Sequence, residues 1–294
     1  MSLDSQLISS IEVIVNRTLP GGGFAQRPGG RFRADATAWS ILALSVLADQ
    51  REIIENAGLQ LSTVQLRDGR VPVAEGADAA YWPTPLAILA MKKLNGFENA
   101  KNSAVKLLIE SSGSHFIKKE YTPLGHDTAI KGWAWIEDTH SWIEPTSMAI
   151  LALRATGYGY HERVREAVNM ILNRQLPSAG WNYGNTTVFN RELLPMPENT
   201  GQALCALSGY VQASEVQKSI DYAKDQLPVL RTPLSLCWCL FGLSAWSVNV
   251  PDARARVLKC LSLQEKFGAY DTTLLAQLVI AYFTNGDLLG FLYS

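Results

Sequence analysis

One short pattern returns six times along this chain, and it limits the fold more than any other feature. A threonine, in one copy a leucine, opens an apolar run: TAWSILAL from Thr37, TPLAILAM from Thr84, TSMAILAL from Thr146, TGQALCAL from Thr200, LCWCLFGL from Leu236 and TLLAQLVI from Thr273. The columns agree in size as well as polarity. Three places after the first residue stand Ser40, Ala87, Ala149, Ala203, Cys239 and Ala276, and six places after stand Ala43, Ala90, Ala152, Ala206, Gly242 and Val279. Positions three and four apart share a helix face, and small residues there let a neighbouring helix approach closely. A helix that is apolar nearly all round is a buried one.

More polar, amphipathic stretches separate these runs, at roughly 4–17, 50–65, 98–112, 160–175, 212–226 and 251–264. In HERVREAVNMILNRQ, Val164, Val168, Ile171 and Leu172 share a face, and Arg163, Glu166 and Arg174 fall elsewhere. The order is outer helix, inner helix, six times over, and strand-like alternation is nearly absent. The expected fold is all-α: an α/α toroid of six inner and six outer helices, forming one domain over 1–294. An open superhelical solenoid is the competing architecture. A chain of 294 residues with 47% hydrophobic content has ample material for such a core. Glycine-rich turns join outer to inner helices. The longest gap, HFIKKEYTPLGHDTAIKGWAWIEDTHSW, is expected to lay an insertion or small helix over one mouth of the ring.

Several function classes drop out. The formal net charge is −1, with Lys and Arg scattered, so no nucleic-acid footprint is visible. No apolar run reaches the ~18 residues needed to cross a bilayer. The start, MSLDSQLISSIEVIV, has no basic region before its apolar part, so no signal peptide is expected and the default location is cytoplasmic. Cys205, Cys237, Cys239 and Cys260 read as buried thiols, since three lie inside apolar runs. PGGGF is a turn that needs the conformational freedom of glycine, not a phosphate cradle.

The glycine turns carry a family resemblance. QLRDGRV (Gln65, Gly69), QLPSAGW (Gln175, Gly180, Trp181) and QEKFGAY (Gln264, Gly268, Tyr270) follow the spacing Gln-x-x-x-Gly-x-Trp, the second with one extra residue. Val71 and Tyr270 stand where the first and third would carry tryptophan. With GGFAQRPGGRFRADATAW, these stretches resemble the terpenoid cyclase and protein prenyltransferase superfamily, whose domains are helical toroids. The glutamine reads as a cap on free backbone groups of the adjacent turn, with the aromatic packed beneath it.

The resemblance implies three chemistries, and the residues test each. Zinc prenyltransferases hold their metal with Asp-x-Cys and a histidine. Here Asp35 is followed by Thr37 in the cysteine's place, and the four histidines have no cysteine near them in sequence, so no zinc and no other cofactor is expected. Class I ionisation needs an Asp-Asp-x-x-Asp run, which is absent. Class II cyclases protonate their substrate with an acid two residues before a threonine that opens an inner helix. Asp35, Glu144, Glu198 and Asp271 occupy that place, without the flanking acids of the cyclase motif.

The repeated acid has a plain structural role too, because Asp or Glu near Pro suits the first turn of a helix, where it meets the positive end of the helix dipole. In a closed toroid, however, all inner helices start at one mouth. Residues two before and two after the threonine share a face, which pairs Asp35 with Trp39, Glu144 with Met148, Glu198 with Gln202 and Asp271 with Leu275. The candidate catalytic residues are therefore Asp35, Glu144, Glu198 and Asp271. The candidate ligand wall is Trp39, Trp82, Trp133, Trp135, Trp142, Trp181, Tyr183, Gln202 and Trp238. The function expected is binding or transformation of an isoprenoid-like apolar molecule in a central cavity. A non-catalytic scaffold for a protein partner is one alternative. A carbohydrate-active toroid, which needs two carboxyls about 5–9.5 Å apart, is another. An apolar cavity above about 300 Å3 would speak for a ligand, and a centre filled by the chain's own side chains for a scaffold.

Overall fold

A computed structural model describes residues 4–47, 49–117 and 124–294. In chain order the helices are α1 (Ser5–Val15), α2 (Ala34–Leu44), α3 (Arg51–Thr63), α4 (Pro83–Lys92), α5 (Glu98–Glu110), α6 (Ile143–Ala155), α7 (Glu162–Asn173), α8 (Pro197–Leu207), α9 (Ala213–Gln226), α10 (Pro233–Ala245), α11 (Ala253–Ser262), α12 (Gln264–Phe267), α13 (Thr272–Phe283) and α14 (Leu288–Tyr293). Strands β1 (Thr187–Val188) and β2 (Arg191–Glu192) form a short antiparallel hairpin.

The apolar runs become α2, α4, α6, α8, α10 and α13. Each packs on the next, and α13 returns to α2. The ring is closed, so the fold is an α/α toroid and not an open solenoid. Helices α3, α5, α7, α9 and α11 each cover the inner helix before them and touch the one after, while α1 covers α13. The unit is thus an inner helix followed by an outer one, and the N-terminal helix completes the C-terminal unit. The small-residue columns are buried throughout, from Ser40, Ala87 and Ala149 to Ala206 and Val279. All four cysteines are free and buried.

The structure explains why threonine repeats. Thr37 Oγ1 accepts from the Phe24 N–H at 2.9 Å, Thr84 from Val71 at 3.0 Å, Thr146 from Trp133 at 2.9 Å and Thr200 from Trp181 at 3.0 Å. Each bond is buried and ties a glycine turn to the inner helix it precedes, satisfying a backbone donor that no ladder serves. The last unit differs: the Thr272 hydroxyl takes no N–H from its own turn but donates across the ring to Ala25 O at 2.6 Å and accepts from Arg17 Nη1 at 3.1 Å. The copy led by Leu236 has no glycine in the segment between α9 and α10, hence no turn to tie and no threonine. Two of the three glutamines act on the turns as expected: Gln65 Nε2 donates to Gly69 O and Ala100 O, and Gln264 Oε1 accepts from the Tyr270 N–H, whereas Gln175 Nε2 donates to Ser219 Oγ, which itself accepts from the Gly180 N–H.

The two mouths differ. At the C-terminal ends of the inner helices, α14 lies across the ring with Leu288 and Leu292 buried. Lys92 Nζ donates to Leu292 O and Ser294 O, Lys93 donates to Phe291 O, and the Arg154 guanidinium sits 4.8 Å from the Tyr293 ring centre. At the other mouth, the long gap was expected to fold as an insertion or helix. Its described part forms no helix, and residues 118–123 lie outside the described ones. It runs over the mouth in extended pieces instead, bridging Ala80 to Ile136 and Leu124 to Val188. Among the described residues no helix is long and apolar enough to cross a membrane.

The tightest helix crossing is α8 on α10. A Cβ on Gly201 would lie 2.1 Å from Trp238 O, and one on Gly242 would lie 2.8 Å from Gly201 Cα. Gly201→Ala is therefore expected to lower the unfolding free energy by about 1–3 kcal/mol. Gly21→Ala, where nothing lies within 4 Å, is expected to change it by less than about 0.5 kcal/mol. Urea denaturation of the two variants beside the parent checks both.

Candidate functional site

The inner helices start together at the open mouth, so the four repeated acids come to one end of the ring. Their surroundings differ. Asp35 is buried and clamped: Oδ1 accepts from Arg33 Nε at 2.9 Å, and Oδ2 accepts from Arg33 Nη2 at 3.0 Å and Gln26 Nε2 at 2.8 Å. Asp271 precedes α13 and pairs with Arg27 at 2.6 Å toward solvent. Glu198, in the first turn of α8, accepts from Ser235 Oγ on α10 at 2.7 Å. Glu144, in the first turn of α6, has no cationic partner among the described residues. Its Oε2 accepts from the indole Nε1–H of Trp135 at 3.2 Å.

Glu144 lines a central cavity together with Trp39, Trp82, Met148, Gln202 and Trp238. Its side chain is half-buried. Its carboxyl pKa is raised above the ordinary 4.5, chiefly by burial. The Trp135 indole N–H works against the shift, and the charge of Glu198 adds to it. The carboxyl thus keeps its proton above the usual glutamate range, as a general acid must.

The aromatic candidates separate into three groups. Trp39 and Trp238 meet edge to face across the ring, with centres 6.1 Å apart, and Trp82 joins them at the cavity wall. Trp135 and Trp142 stack at 5.3 Å in the mouth, and the half-exposed Tyr183 meets Trp135 at 5.8 Å. Trp133 and Trp181 are fully buried and donate their indole N–H groups to Leu108 O and Ile171 O, on the outer helices α5 and α7. They hold the inner ring to the outer one and do not face the cavity.

The cavity itself is small, about 40 Å3, close to the ~30 Å3 share of one liquid water. Trp39 and Trp238 fill most of the centre. Leu86, Pro145, Leu234 and Gln277, which the sequence did not single out, also line it. Gln277 is buried and its Oε1 has no partner among the described residues. Its signal was present in the sequence: it is the one amide in an otherwise apolar inner helix, TTLLAQLVIAYF. Among the described residues, no three His, Cys, Asp or Glu side chains are placed to hold a metal ion.

A closed ring of six inner and six outer helices is an α/α toroid. No family model matches the chain and no curated protein does, but solved structures do. The apo type II terpene cyclase MstE from Scytonema matches with a TM-score of 0.60 at 15% identity, over 94% of this chain and 98% of that one. A variant of MstE in complex with geranylgeranyl dihydroxybenzoate matches with a TM-score of 0.60 at 11% identity, over 97% and 98%. An α-1,6-mannanase from Salegentibacter sp. HEL1_6 matches with a TM-score of 0.65 at 12% identity, over 97% and 98%. The resemblance read from the repeats therefore holds for the fold.

Folding favours the protonated form of Glu144. The stability this contributes is complete below the unfolded pKa and is lost as pH rises through the raised folded one. The parent chain is accordingly expected to lose stability relative to Glu144→Gln over that window, by about 1.4 kcal/mol per pH unit, and to level off above it. Urea midpoints of the two proteins between about pH 4 and about pH 8 check the direction and the window.

Proposed function

We propose that this toroid binds an isoprenoid-like, mostly hydrocarbon ligand at its open mouth and that Glu144 is its general acid, with no zinc involved. The observation that carries the reading is the Glu144 carboxyl. Among the described residues it is the one repeated acid with neither an ion pair nor a hydroxyl partner, it faces aromatic walls, and burial raises its pKa. A raised pKa keeps the proton on to higher pH but makes a weaker acid. The natural target is thus an oxygen on the ligand, such as an epoxide or allylic oxygen, and not an isolated alkene. The proton passes from Glu144 to that oxygen, the carbon–oxygen bond breaks, and the electron pair leaves with oxygen. The faces of Trp39, Trp82 and Trp238 then stabilise the carbon cation. Loss of a proton from a neighbouring carbon to the Glu144 carboxylate restores the acid. The toroid of MstE, which holds geranylgeranyl dihydroxybenzoate, supports this ligand class.

Such a ligand needs far more room than about 40 Å3, so binding requires the Trp39 and Trp238 rings to turn aside. The same filled centre supports a second reading, a non-catalytic scaffold for a protein partner. One experiment separates them. The protein is incubated with geranylgeraniol, a terminal isoprenoid epoxide and an α-1,6-mannoside, followed by mass spectrometry and thermal shift. Turnover of the epoxide, slowed roughly 100-fold or more in Glu144→Gln, is the expected result. If no apolar ligand binds or turns over, the acid reading fails. Turnover of the mannoside alone would move the site to sugar chemistry.

A further inference from the structure

Beside the mouth lies a second cavity, of about 140 Å3, that the acid chemistry does not use. Its polar lining comes from His115, His126, His140, Ser141, Asn185 and Arg174, with the Trp142 ring as one wall. Among the described residues no carboxylate lines it. Arg174 is 5% exposed and makes no ion pair among the described residues. Its Nη1 donates to Gly184 O at 2.6 Å, and its Nε has no partner among the described residues. A buried guanidinium without an ion pair is costly, and its planar fork of donors suits a tetrahedral or planar oxyanion.

The neighbouring groups agree in sign. The Ser141 hydroxyl lies 3.1 Å from His115 Nε2 and accepts from the Gly132 N–H at 3.1 Å. The His115 pKa is lowered, first by burial and then by the positive charges of Arg163 and Lys131, with Arg174 adding a smaller share and only Glu166 opposing. Burial pushes the Arg174 pKa down to about 10, and Asp127 is the one carboxylate that acts against that shift. The charged and titratable groups facing this pocket are thus predominantly basic, a poor setting for a metal cation and a good one for an anion. The volume is several times the ~30 Å3 share of one water, which accommodates a small oxyanion.

We propose that this pocket is an oxyanion-binding site, that Arg174, His115, His140 and Ser141 hold a phosphate-type group in it, and that the group is either free or the head of an amphiphile. The site does not depend on the acid role of Glu144. The two do adjoin: Trp142 walls the pocket and stacks on Trp135, whose indole N–H holds Glu144. An amphiphile with its head at Arg174 would lay its chain across these two rings toward the central mouth.

The test is calorimetric titration of the full-length protein with inorganic phosphate at constant ionic strength, with chloride as control. Saturable binding is expected, weakened at least tenfold in Arg174→Gln and in His140→Ala, and unchanged in Glu144→Gln. Farnesyl monophosphate binding tighter than phosphate identifies an amphiphile head, and equal affinity identifies a free oxyanion. Either result keeps the site. No saturable phosphate binding, or binding that both pocket variants leave untouched, overturns it. If Arg174→Gln fails to fold by circular dichroism, His140→Ala and His115→Gln decide the matter with the same readout. Loss of isoprenoid turnover in Glu144→Gln with phosphate binding intact separates the two proposals.

Discussion

The join between the two ends of the chain is the contact on which the toroid depends. Arg17, buried at the end of α1, donates Nη1 to Gln26 O at 3.1 Å, Tyr270 O at 3.0 Å and Thr272 Oγ1 at 3.1 Å. Thr272 N donates to Gln26 O at 3.0 Å, and Gln26 reaches on to Asp35. These bonds span some 250 residues of sequence. Their partners are carbonyls and a hydroxyl, and charge-assisted bonds to such groups are among the stronger kind. Without them α2 and α13 would each expose a face of small apolar residues meant for a neighbouring helix. The seam therefore does for the ring what the inner-helix packing does for each pair within it.

The architecture was legible because it rests on repeated local features. The apolar runs, their small-residue columns and the amphipathic stretches between them each report one helix and one face, and a closed ring needs little more. The threonine was visible but its purpose was not. A hydroxyl bonded to a backbone N–H thirteen residues earlier, as in Thr146 and Trp133, leaves no periodicity to read. The seam was hidden for the same reason: Arg17 looks like any charged residue at a helix end, and its partners lie at the far end of the chain. In the last unit nothing local showed that Thr272 would bond Ala25 across the seam and Thr273 the Gln26 side chain.

The site was legible in outline and not in detail. The rule that residues two before and two after the threonine look inward places Trp39, Trp82, Glu144, Met148, Gln202 and Trp238 at the cavity. It could not say how full the centre would be, because that depends on Trp39 and Trp238 meeting from helices that are not sequence neighbours. Trp133 and Trp181 share the residue type and differ in role, since their glycine turns point them between the rings, where outer-helix carbonyls take up their N–H groups. A tryptophan is read as cavity wall or as packing only once its N–H partner is known.

The four acids make the same point about chemistry. They occupy equivalent places in a repeat, yet three are spoken for: Asp35 by Arg33, Asp271 by Arg27 and Glu198 by Ser235. The arginines belong to the glycine-rich segment between α1 and α2, so their charge reaches only the acids beside the seam. Glu144 lies farther round the ring, on α6, where the incoming segment supplies tryptophans in place of cations. A carboxyl with an arginine at hydrogen-bond distance has its charge paired, while burial beside indole rings raises the Glu144 pKa. What marks out Glu144 among four similar positions is thus the neighbour it lacks, and the sequence of its own repeat does not contain that information.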